Sequence, residues 1–134
     1  MVHDMDKELV ELFIEEFNEL FDQYIENAQK ITQSKNPQNE LRKLKEITHN
    51  LQKSCEILGI DNLRNFFKAL ETVFSKVSFK SNKRISSLFD QSLGIGFFKF
   101  QEIAKRISAG NALHDIEVLV DVENLYQNAE SSNL

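Results

Sequence analysis

The chain has 134 residues, 41% of them hydrophobic and 28% charged, enough for one domain with a real core and too apolar for a wholly disordered segment. One Pro, four Gly, eleven Phe and no Trp favour long uninterrupted helices packed through phenyl rings over a turn-rich β-sandwich. A net charge of −5 argues against a nucleic-acid binder, and no apolar run has the length of a membrane span.

The elements follow from apolar spacing. A first helix is expected from about Asp6 to Thr32, with a broad apolar face of Leu9, Leu12, Phe13, Phe17, Leu20, Phe21, Tyr24, Ile25, Ala28 and Ile31. Gln33 to Asn36 make a polar break, and Pro37 suits the first turn of the next helix. In that second helix Leu41, Leu44, Thr48, Leu51, Cys55 and Leu58 recur at steps of three and four, forming one stripe. Gly59 is a good left-handed stop, and Asp61 is expected to cap a third helix after a tight turn, making an antiparallel hairpin.

The third stripe is Leu63, Phe66, Phe67, Leu70, Val73, Phe74 and Val77, followed by a loop over Ser78 to Lys83. A fourth helix is expected from about Lys83 to Ser108, with Gly94 and Gly96 leaving room for a kink in its middle. Phe97, Phe98 and Phe100 cannot all face one side, so one ring is left for the last segment or a partner surface. The segment from Leu113 to Gln127 has helical spacing, although Glu117 to Val122 is also compatible with a strand. The expected architecture is therefore a single all-α domain: an antiparallel four-helix bundle over about 6–108 and a C-terminal extension over about 112–134 that includes an additional helix.

Cys55 lies on an apolar stripe and cannot form an internal disulfide, being the sole cysteine. With a polar, acidic N-terminus that lacks a secretory signal, this places the chain in the cytoplasm as an expectation.

His49 stands apart. It lies outside the stripe of the second helix, among Arg42, Lys45, Glu46, Gln52, Lys53 and Glu56, so the helix holds an imidazole toward water in a charged setting. Metal ligation is disfavoured because His3, His49 and His114 fall in different segments. A hydrolytic triad is disfavoured because Ser54 does not face His49 on a helix and Cys55 is expected to be buried. The imidazole as nucleophile remains, and a phosphorus electrophile suits it: one nitrogen attacks, a carboxylate orients the other, and Lys45 or Lys53 one turn away steadies the phosphoryl oxygens.

The run from His49 to Gly59 resembles the signature of histidine phosphotransfer (HPt) domains, closest to the N-terminal phosphotransfer domain of chemotaxis-type histidine kinases. That signature is His-x-Leu-Lys-Gly-Ser with a Gly ten residues after the histidine, and His49, Leu51, Ser54 and Gly59 match it. The resemblance covers roughly residues 6–108. It implies that His49 is the phosphoacceptor and that Glu71, already odd at the edge of an apolar face, accepts a hydrogen bond from it. Two positions depart from the pattern: Gln52 stands for the family's lysine and Lys53 for its glycine. Lys68 stands where the chemotaxis-type branch usually has a second histidine.

The resemblance further implies a phosphoryl carrier without turnover of its own, which agrees with the absence of a nucleotide-binding glycine loop. Its partners would be a histidine kinase catalytic domain, which holds ATP, and a response-regulator receiver domain, which holds Mg²⁺; no cofactor belongs to this chain. Gln52, Lys53, Lys68, Leu51 and Lys45 would contact phosphoryl group or partner, and the chain is expected to be a monomer that binds neither nucleic acid nor membrane. Two other readings stay open: a degenerate HPt-like adaptor that binds a receiver or kinase without carrying phosphate, and a structural helical bundle.

Overall fold

The computed structural model describes residues 7–77, 85, 87–119 and 121–131. It is an all-α bundle of four long helices with a short fifth: α1 (Lys7–Ile31), α2 (Gln38–Leu58), α3 (Asp61–Ser75), α4 (Ser87–Ser108) and α5 (Val122–Ser131). The bundle begins and breaks close to where apolar spacing puts it. The expected loop from Ser78 to Lys83 lies outside the described residues.

Pro37 sits at the N-cap of α2, not inside its first turn. The end of α2 is a Schellman turn: Gly59 has φ 69°, its N–H donates to the Glu56 carbonyl, and the Ile60 N–H donates to the Cys55 carbonyl at 2.9 Å. Ile60 is fully buried, the hydrophobic contact that commonly accompanies this turn. Asp61 is the first residue of α3 and not its cap, which is Ile60. Its carboxylate still lies at the positive end of the helix dipole. With one residue between the helices beyond Gly59, α2 and α3 fold back on each other as an antiparallel pair.

The stripes meet around Phe100 of α4. Its ring lies 4.7 Å from Tyr24, 5.3 Å from Phe21, 5.8 Å from Phe17, 5.6 Å from Phe67 and 6.0 Å from Phe66, so one residue joins α1, α3 and α4. Cys55 is fully buried, and burial, with Glu16 adding to it, pushes its thiol up to about 12. It is a packing residue, protonated at neutral pH. Thr48 is buried too; its hydroxyl donates to the Leu44 and Lys45 carbonyls at 3.1 and 3.0 Å, which is how a polar residue joins an apolar stripe.

Two further expectations need correction. Leu9 and Leu12, placed on the apolar face of α1, are 45% and 59% exposed. The segment from Leu113 is neither one helix nor a strand. A 3-10 turn at Leu113–Asp115 comes first, Leu113 and Ile116 are buried, and the next helix begins at Val122. Helical spacing of Leu113, Ile116 and Leu125 arises here because the turn and α5 each bury a residue against the bundle. Helix α4 continues from Ser87 to Ser108 through both glycines.

Gly96 has a steric reason. A Cβ there would overlap the Tyr24 hydroxyl, which donates to the Leu93 carbonyl at 2.9 Å in the buried seam between α1 and α4. A Cβ at Gly94 would meet nothing within 4 Å. Opposite outcomes follow for the same substitution. Gly94→Ala gains helix propensity of about 1 kcal/mol. Gly96→Ala gains it too, but must displace a buried tyrosine and its hydrogen bond, a loss of about 1–3 kcal/mol from overpacking and about 1 kcal/mol or more from the orphaned hydroxyl. Urea titration is expected to show the first variant more stable than the parent and the second less; equal stabilisation would refute the packing argument.

Candidate functional site

His49 and Glu71 come together, as the resemblance implies. The Gly59 turn decides this: His49 stands ten residues before it and Glu71 twelve after, so an antiparallel hairpin brings them level. The His49 Nδ1–H donates to Glu71 Oε2 at 2.9 Å. A carboxylate only accepts, so this contact fixes the neutral ring as the Nδ1–H tautomer. Nε2 then carries the free lone pair and points away from Glu71. The His49 side chain is 48% exposed and Glu71 28%. The site is therefore an oriented imidazole on a half-exposed side chain, its Nε2 turned away from Glu71.

The remaining residues divide by side. Lys45 and Lys68 make no ion pair among the described residues. Lys53 does: its Nζ lies 3.5 Å from Glu56 Oε2. Gln52 is half-buried, and its Nε2 donates to the other oxygen of the same carboxylate at 3.3 Å. Leu51 is fully buried and cannot meet a partner directly, a correction to its expected contact role; its part is to hold α2 in the bundle. Ser54 donates to Glu16 of α1, away from His49.

Two features escaped the sequence reading. Glu56 was visible only as a neighbour on the wheel, although its spacing of three and four from Lys53 and Gln52 is the signal for such contacts. The other is an apolar edge: Leu9, Leu12 and Ile57 are exposed and share a shallow groove with Phe13 and Leu58 between α1 and α2. Ile57, 80% exposed, lies outside the buried stripe, and only the position of α1 makes it part of a patch.

Phe98 is the outward ring among the three phenylalanines of α4, 66% exposed, while Phe97 packs on Phe21 at 6.0 Å. His114 is exposed in the 3-10 turn, far along the chain from His49, and His3 lies outside the described residues. Among the described residues no three His, Cys, Asp or Glu side chains group as metal ligands, and no helix is long and apolar enough to cross a membrane. No family model matches the chain, and neither a curated protein nor a solved structure matches it.

Proposed function

We propose that the protein is a histidine phosphotransfer module: His49 Nε2 accepts a phosphoryl group from a separate kinase domain and passes it to an aspartate of a receiver domain. One observation carries this reading, the Nδ1–H···Glu71 hydrogen bond, which in the neutral ring turns the Nε2 lone pair away from Glu71 on a side chain that is 48% exposed. A phosphorylated Nε2 makes the ring cationic, and the Glu71 carboxylate at 2.9 Å stabilises that charge as it develops. The resemblance of His49, Leu51, Ser54 and Gly59 to the HPt signature supports the same reading.

Transfer requires a partner to reach Nε2 without a pocket, and an exposed helix face permits that. The charged rim of α2 gives the partner polar contacts, and the apolar edge of Leu9, Leu12 and Ile57 offers area to bury beside it. Gln52 in place of the family's lysine, together with the pairing of Lys53 to Glu56, favours a second reading: an adaptor that binds a receiver or kinase without carrying phosphate.

Phosphotransfer assays with kinases and receivers of the same genome distinguish them. Acid-labile, base-stable label on the parent that vanishes in His49→Gln is the expected result. A receiver that binds equally well to both, with no label on either, would establish the adaptor instead.

A further inference from the structure

We infer that Glu56 holds in reserve the cation that serves the phosphoryl group on His49, so that Lys53 is the phosphoryl-contacting lysine and Glu56 its positioning residue. This rests on the phosphoacceptor reading above and adds to it a residue-level control of the site.

Helix geometry selects Lys53 among the nearby lysines. At about 100° per residue, Gln52 and Lys45 lie roughly 60° and 40° from His49 on one side, and Lys53 about 40° on the other. The first side is that of α3, where Glu71 takes Nδ1 and where Lys68 stands. Nε2 points away from Glu71, hence toward the side of Lys53. Side chains on a helix also lean toward its N-terminus, which carries the Lys53 stem back over the turn of His49.

Its ammonium does not rest there. It is drawn toward the C-terminal turn by Glu56, at 3.5 Å, and the same carboxylate also accepts from Gln52. Lys53 is 57% exposed and Glu56 39%, so the pair is a weak surface contact. A phosphoryl group on Nε2 carries nearly two negative charges and outcompetes a single carboxylate for the ammonium. Lys53 then exchanges Glu56 for the phosphoryl oxygens. The unphosphorylated site is neutralised, and acceptance carries the cost of breaking the pair.

Phosphoramidate tests this without any partner protein. The Nε2 lone pair attacks phosphorus, the N–P bond of phosphoramidate breaks, ammonia leaves with the protons already on its nitrogen, and the Nδ1–H stays on the ring. The rate of phosphohistidine formation at His49, followed by ³¹P NMR with His49→Gln as the assignment control, is measured for the parent, Glu56→Gln, Lys53→Ala, the double variant and Lys53→Arg. Glu56→Gln is expected to accelerate formation about 2- to 5-fold, the range of a surface ion pair. Lys53→Ala slows it, Lys53→Arg restores it, and Glu56→Gln has no effect once Lys53 is alanine.

Equal acceleration by Glu56→Gln with and without Lys53 would overturn the inference, because Glu56 would then act only as a distant negative charge. No acceleration with Lys53 present would overturn it as well. Both outcomes leave His49 labelled and the phosphoacceptor reading intact. Absence of label on His49 in the parent removes that reading and this inference together.

Discussion

Glu71→Ala is expected to slow phosphoryl acceptance by His49 about 10- to 100-fold, the cost of removing the carboxylate that orients a metal-bound histidine, which holds its ring by the same hydrogen bond. Three effects combine. Without the acceptor at 2.9 Å the ring is free to rotate about its side-chain bonds. The tautomer is no longer fixed, so part of the population carries its proton on Nε2, where the lone pair is needed. The cationic phosphorylated ring also loses its counter-charge. Glu71→Gln separates these contributions: the amide oxygen can still accept from Nδ1–H, but the charge is gone, so its rate is expected to fall between parent and alanine variant.

The measurement is the initial rate of label incorporation from a cognate kinase at matched protein concentration. Glu71 is only half-buried at the edge of α3, so both variants are expected to keep the helical signal of the parent. A Glu71→Ala rate within twofold of the parent would show that the hydrogen bond is incidental to acceptance. It would leave His49 as a nucleophile oriented by something other than α3.

Phe100→Ala is the largest stability effect expected. The ring is fully buried and meets five others from α1 and α3. Truncating such a phenylalanine costs about 3–5 kcal/mol, because the surrounding rings are too bulky and too constrained to fill the space. The corresponding fall in Tm is roughly 10–20 °C for a domain of this size. Denaturant titration should show a lower midpoint with an unchanged slope, since the same surface is exposed on unfolding.

Phe98→Ala, one turn-step away and mostly exposed, is the control and is expected to change stability by less than about 0.5 kcal/mol. A Phe100→Ala loss below about 1 kcal/mol would mean that the α1, α3 and α4 stripes do not share one core. Phe100 touches Phe66 and Phe67 of α3, so its loss also loosens the helix that carries Glu71.

Much of this molecule was legible from one dimension because helices are local. The α2 stripe, the Gly59 stop and the outward His49 follow from a period near 3.6 residues and from the conformational freedom of glycine. The pairing of His49 with Glu71 was an expectation of the family resemblance, to which the residues themselves added only a carboxylate at the edge of an apolar face on the neighbouring helix. Spacing could not tell a face that packs from an apolar face left bare: Leu9 and Leu12 fit the α1 pattern and stay exposed, beside Ile57 at the edge of the α1–α2 groove. Nor could it foresee that Gly96 makes room for Tyr24, a residue 72 positions earlier, while Gly94 two residues away makes room for nothing.

The sequence by itself determined the four long helices, where α2 turns back and that the His49 imidazole faces water, since backbone preference and apolar period act over a few residues. Only the tertiary structure decided which apolar residues lack cover and which of the two α4 glycines must stay small. Cover and clash depend on the distance between atoms brought together by the packing of separate helices, and no local pattern encodes that distance.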